Sequence, residues 1–164
     1  GGSSGEHSHA LNLWQHFSRT FGQGEVRNVF SKYNIIKKDK IFYDNKVYFI
    51  VETDKQFIGT ITQDVITLPP RKVIKIQGEN LFIEWVCNYK GNLDLVRTIN
   101  NKNILKEYEI KKSRPDDFII ELEHILYRKD QSILSPINLK HGIKTMEVLI
   151  ASMESNLENK AIEI

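Results

Sequence analysis

The sequence carries one cysteine, Cys87, in 164 residues. A lone thiol builds neither an intrachain disulfide framework nor a thiolate metal site, and a reducing, cytoplasmic setting is expected. Charge of one sign is also scarce. The 23 Lys and Arg nearly balance the 21 Asp and Glu, for a formal net charge of +2. The lysines are scattered, with adjacent pairs at Lys37-Lys38 and Lys111-Lys112. No basic stripe forms, so nucleic acid is not an expected partner. No apolar run approaches the roughly 20 residues of a membrane span, so no membrane partner is expected either. No secretory leader pattern and no internal repeat is visible. What is present, 40% hydrophobic and 27% charged residues, is the balance of a soluble globular chain. Its length suits a single domain over residues 1–164 with a real core.

The chemistry-bearing stretch is the beginning, Gly1-Gly2-Ser3-Ser4-Gly5-Glu6-His7-Ser8-His9-Ala10-Leu11-Asn12. A helix is predicted to start near His9, because Ala10, Trp14, Phe17 and Phe21 recur at spacings of four and three and share one side. Ser8 is the predicted N-cap. On that register His9, Asn12 and His16 share a second, polar side, with Glu6 just before the first turn. The positive end of the helix favours an ionised Glu6 and a neutral His9, and a neutral imidazole can accept a proton. That suits a general base. Two plain alternatives stand beside it: five Gly and Ser residues could be an expression scar, and a histidine at a helix start is commonly a surface or capping group. Zinc held by Glu6, His7, His9 and His16 is a further option that the geometry disfavours. Two histidines one residue apart share a face on a strand, and a helix is predicted to start between them.

The first helix should end at Phe21-Gly22, with Gly22 or Gly24 as the left-handed stop. Strands are then expected over 25–33, 47–53, 57–66, 71–77, 81–87, 93–99 and 104–110, joined by short turns as an antiparallel meander. Gly59 is expected to mark a bulge or a close approach. Arg114-Pro115-Asp116-Asp117 starts a helix with the stripe Phe118, Leu122 and Ile125. Ser135-Pro136 opens another. Its residues Leu139, Ile143, Met146, Ile150, Met153 and Leu157 are expected to dock on the sheet rather than form a coiled coil. Lys160 to Ile164 closes as a short strand. The predicted class is α+β, a mainly antiparallel sheet of about six to eight strands with helices on one face. The other face, apolar in part, would be left open for a homo-oligomer. Arg71 and Arg97 could meet a carboxylate or phosphate bidentately, although a solvated strand arginine is the simpler reading.

Several segments in this order resemble the C-terminal domain of the Gfo/Idh/MocA oxidoreductases, most closely the branch acting on nucleotide-linked or acidic sugars. Gly1-Gly2 followed by Glu6-His7-Ser8-His9-Ala10-Leu11-Asn12 is similar to that branch's Gly-Gly…Asp-Leu-Ser-His-Glu-Leu-Asp segment. Gly24-Glu25-Val26 resembles the segment after the family's helix. Asp64 to Arg71 resembles its Asp-Tyr-Leu-Gln-Arg-Pro-Pro stretch. Ile76-Gln77-Gly78-Glu79-Asn80 with Ile83-Glu84-Trp85 resembles its hairpin, and Gly142-Ile143 through Ser155 with Asn159-Lys160-Ala161-Ile162 resembles its closing helix and strand.

The resemblance implies the substrate-binding and oligomerisation domain of an NAD(P)-dependent sugar dehydrogenase, with a sugar or nucleotide-sugar as substrate. It makes the residue at His9 the proton-transfer group, with the acid at Glu6 and the residue at Asn12 in support. His7, Asn12, His16 and Arg71 are the expected substrate contacts. The chain departs from the pattern in three ways. Glu6 and Asn12 stand where the family carries Asp, Leu68 stands where the branch tends to carry Arg, and no Gly-x-Gly-x-x-Gly fingerprint occurs. The cofactor would therefore be held mainly by an N-terminal Rossmann domain absent from these residues. This chain alone is expected to be a fragment, inert as an enzyme. The competing expectation is a stand-alone, non-catalytic sheet module that binds a partner or ligand.

Overall fold

The structure, a computed structural model, describes residues 2–6, 8–113, 115–127, 135 and 137–164. In chain order its elements are α1 (Ser3–Glu6), α2 (His9–Thr20), β1 (Val26–Lys38), β2 (Ile41–Thr53), β3 (Ile58–Asp64), β4 (Val73–Gln77), β5 (Leu81–Lys90), β6 (Leu93–Asn100), β7 (Leu105–Lys111), α3 (Asp116–Tyr127), α4 (Leu139–Glu158) and β8 (Ile162–Glu163). The expected α+β class with antiparallel strands is observed. The strands do not run on as one meander but form two four-stranded sheets, ordered β3-β2-β1-β8 and β4-β5-β6-β7. The chain divides accordingly into two compact units, Gly1–Ile66 with Ser132–Ile164, and Thr67–Gln131.

In the first unit, alternation sets which residues are buried. Val29 on β1, Val47, Phe49 and Val51 on β2, and Ile61 on β3 point to one side of the sheet and are buried beneath Leu11 of α2 and Val148 and Leu149 of α4. Full burial of such a side chain is worth about 1.5–3 kcal/mol, so this layer is the stabilising centre of the unit. The opposite side carries exposed Tyr48 and Ile50. β1 and β2 are each 13 residues long and join through Asp39-Lys40, with Asp39 at φ 57°. The lysine-rich tip hides this long hairpin from the hydrophobic pattern, which is why the expected first strand stopped at residue 33.

In this unit α4 docks by a face other than the expected one, and α2 docks by the expected side only in part, through Trp14. On α2 the buried residues are Leu11, Gln15 and Ser18, while Ala10 is exposed, Trp14 and Phe17 are half-buried and Phe21 is exposed. Ser8 adopts helical φ/ψ and its side chain makes no cap bond. The one-turn helix α1 ends two residues before it. On α4 the sheet-facing residues are Thr145, Val148, Leu149, Ala151, Ser152 and Ser155. The predicted stripe from Leu139 to Leu157 points away and is 49–82% exposed.

The physical reason is the edge of β1. β8 pairs only with Asn28 and Val29, which leaves the next amides of β1 without a strand partner. Ser155 Oγ accepts from Ser31 N at 3.0 Å and Asn156 Oδ1 from Tyr33 N at 2.9 Å. Buried amides left without acceptors would each cost about 1–3 kcal/mol. Small hydroxyl residues let the helix approach closely enough to meet that need. Asn138 is the N-cap of α4, accepting from His141 N. The expected opening at Ser135-Pro136 includes Pro136, which lies outside the described residues, as does Arg114 of the α3 start.

The second unit is a four-stranded meander followed by α3. Its buried residues include Leu95 and Asp94. α3 was expected to bury Phe118, Leu122 and Ile125. It has no buried residue, and Leu122 is 57% exposed.

Candidate functional site

The first unit holds a groove between α2 and α4 of about 580 Å³. Ser8, His9 and Asn12 line one wall, and Ile143, Met146 and Glu147 belong to the other. Spacing explains the first wall: His9 and Asn12 are three residues apart and therefore adjacent on one side of a helix. The second wall is the outward stripe of α4. The groove thus presents an imidazole and a carboxamide opposite a mainly apolar surface, as ligand sites commonly do.

Hydrogen bonds fix the two walls to one another. Thr145 Oγ1 accepts from Asn12 Nδ2 at 2.9 Å and donates to Gln15 Oε1 at 2.8 Å. Gln15 Nε2 reaches the carbonyl of Lys144 at 3.4 Å. Gln15 and Thr145 are both buried, so this relay is shielded from water and holds its geometry. Thr145 and Gln15 carry no signal in the sequence, because Thr and Gln at buried helix positions break no periodic pattern. Trp14, from the expected apolar side, stacks on Phe57 with ring centroids 5.5 Å apart. It lies over Gly59, where a Cβ would fall 2.0 Å from the indole nitrogen. The expected close approach at Gly59 is therefore observed.

His9 and Asn12 are brought together. Glu6 ends α1 and is exposed, and it is not among the groove-lining residues. His16, one turn beyond Asn12, is half-buried against Phe17, with ring centroids 5.8 Å apart. Arg71 is exposed and belongs to the second unit. His7 lies outside the described residues. Arg97, also in the second unit, is bound by Glu107 at 2.6 Å and Glu84 at 3.3 Å, which fits the solvated-strand reading. Among the described residues no group of three or more His, Cys, Asp or Glu could hold a metal ion.

No protein-family model and no curated protein matches the sequence. Solved structures do. An NAD-binding oxidoreductase from Klebsiella pneumoniae superposes with a TM-score of 0.72 at 14% identity, over 96% of this chain and 49% of that one. The chain shares its fold with oxidoreductases. An aldose-aldose oxidoreductase from Caulobacter crescentus, solved with glycerol, gives 0.72 at 13% identity over 96% and 45%. The WlbA dehydrogenase of Bordetella pertussis, solved with NADH and UDP-GlcNAcA, gives 0.62 at 14% identity over 100% and 45%. The chain spans about half the length of the structures it resembles. At these identities the likeness establishes the fold.

Proposed function

We propose that this chain is the substrate-side, C-terminal domain of an NAD(P)-dependent oxidoreductase of the Gfo/Idh/MocA type acting on a sugar or nucleotide-sugar. The observation that carries the reading is the placement of His9 beside Asn12 on one wall of the α2–α4 groove. It supports the reading because this fold recurs in structures solved with NADH, a nucleotide-sugar and glycerol.

His9 is the general base. Oxidation of a carbinol needs a group within hydrogen-bond reach of the hydroxyl to take its proton, and an exposed imidazole at a groove rim can do so. Asn12, tied to Thr145, holds the first turn of α2 in register so that the ring of His9 stays on the groove side. Ile143 and Met146 give the facing wall its apolar character. Glu6, His7, His16 and Arg71 remain proposed contributors to the same site. A bound nicotinamide cofactor would accept or donate the hydride. The chain has no Gly-x-Gly-x-x-Gly turn to cradle a pyrophosphate, so the greater part of NAD(P) would be bound by polypeptide outside these residues. The exposed sheet side with Phe30, Tyr48 and Ile50 would form a homo-oligomer.

His9→Asn, in the protein expressed from its full reading frame, is expected to lower turnover of an aldose or UDP-sugar with NAD(P)+ by roughly 10²–10⁴-fold and to leave NADH affinity unchanged. Turnover within a few-fold of wild type would end the reading. Fluorescence titration of the 164-residue chain should show no tight NADH binding, and tight binding would contradict the division of labour. A second reading, a non-catalytic sheet module that binds a partner, draws on the exposed stripe of α4. A Rossmann-coding stretch directly upstream favours the first reading, and an independent start codon with no such neighbour favours the second.

A further inference from the structure

The alternation of β2 is broken once, and the break selects which side chain faces the start of the chain. Asn34 pairs with Lys46, but the next residue, Ile35, pairs with Asp44, so Asn45 is the extra residue of a β-bulge. Val47, Phe49 and Val51 face the helices. Strict alternation back along the strand would keep Asn45 on that side and turn Asp44 to the other. A one-residue insertion inverts the phase beyond it. Asn45 is itself buried, its side-chain oxygen accepts from Asn34 Nδ2 at 2.8 Å, and its carbonyl accepts from Val65 N at 3.0 Å. The bulge is thus tied to β1 on one side and to the residue that follows β3 on the other.

The Asp44 carboxylate then grips the entry of the chain. Oδ2 accepts from Ser4 N at 2.6 Å and Oδ1 from Ser4 Oγ at 3.1 Å. Ser4 is buried. Gly2 passes so close that a Cβ there would lie 2.0 Å from Asp44 Oδ1, so only glycine fits beneath the carboxylate. The carbonyl of Gly2 in turn accepts from Glu6 N at 3.0 Å and closes the single turn of α1, three residues before His9.

We infer that the bulge at Asn45 aims Asp44 to act as a latch on the Gly2–Ser4 entry, and that Asp44 is through this latch a positioning residue for Glu6 and His9. The inference rests on the proposed role of the His9 groove for its functional meaning, and on bulge geometry for its physical content. A carboxylate accepting two bonds from one residue fixes both position and rotation. One turn of helix has too few internal bonds to hold itself, so α1 depends on that anchor.

The test combines hydrogen exchange over residues 2–6 with the NMR ring signal of His9, assigned with His9→Asn. Asp44→Ala is expected to raise exchange over 2–6 by roughly tenfold or more and to move the His9 ring resonance, with α4 protection unchanged. Asp44→Asn retains one acceptor oxygen and should restore most of both. Gly2→Ala and deletion of Asn45 should reproduce the Asp44→Ala pattern from the other two sides. If the deletion does not fold, the two point variants decide. Unchanged exchange over 2–6, or loosening of 2–6 with the His9 signal still in place, would overturn the inference. Neither readout needs turnover. If His9→Asn keeps full activity while Asp44→Ala still moves the His9 signal, the catalytic reading fails and the latch stands.

Discussion

Asp94 is a carboxylate with almost no access to water. Its side chain accepts from Trp85 Nε1 at 3.0 Å and Asn88 N at 2.9 Å, with Lys112 Nζ 3.4 Å away. Asn88 sits at φ 52° where the β5–β6 register shifts, so the carboxylate stabilises an otherwise costly backbone turn. Burial alone would raise its pKa, but the bonds from Asn88 and Trp85 and the charge of Lys112 outweigh burial and hold it below the ordinary value. The sign follows directly. A depressed folded-state pKa contributes stability that is present above about 3.9, the unfolded carboxylate value, and is lost as pH falls through the lower folded value. Asp94→Asn is expected to cost about 1–3 kcal/mol at pH 7. In urea titrations the gap to wild type should narrow under acid. A gap that stays constant to pH 2 would show that the charge is not what matters. The same network pushes the nearby Cys87 thiol up, through burial first and the Asp94 charge second, which makes this lone cysteine a poor nucleophile at neutral pH.

Among the elements, the packing of α2 on β3 offers the sharpest check. Gly59→Ala would drive a methyl into the Trp14 ring, and overpacking of this kind costs about 1–3 kcal/mol. A lowered melting temperature is expected, and Trp14→Leu in the same chain should recover part of it. An unchanged melt would mean that the indole does not rest on Gly59. This contact was legible in the sequence, since a glycine within a Thr- and Ile-rich strand has few other uses. The turns at residues 53–56, 78–80, 90–92 and 100–103 and the short final strand were legible for similar reasons, because Gly, Asn and Asp punctuate clear alternation. The docking face of α4 was not. Hydrophobic periodicity finds the most apolar side of a helix, and on α4 that side is turned outward while Ser152, Ser155 and Thr145 supply hydroxyls to the interior. In the site, His9 and Asn12 could be paired from their spacing alone. Thr145 is 133 residues from Asn12, and the aim of Asp44 depends on a bulge. Neither long-range pairing nor a bulge in a polar stretch leaves a periodic trace.

For the whole molecule, assembly is the property to measure. Tyr48 and Ile50, with Phe30 opposite Ile50 in the β1–β2 register, give the exposed sheet side its apolar character, moderated by Lys46 over the Tyr48 ring at 5.1 Å. If that side is the homo-oligomer contact, sedimentation velocity should show a dimer or larger species, and Tyr48→Lys with Ile50→Lys should release monomers that melt no earlier than about 2–4 °C below wild type. Assembly that survives the double substitution would place the contact elsewhere.

The first unit is also discontinuous, built from residues 1–66 and 132–164. During synthesis, at about 5–20 residues per second, β1, β2 and β3 of that sheet leave the ribosome on the order of ten seconds before Ser155 and Asn156 can shield the bare amides of β1. Through that interval the nascent chain offers an unguarded strand margin to any neighbour. Expression yield should therefore depend more on chaperone supply and on slow, cool induction than the finished protein's stability would suggest.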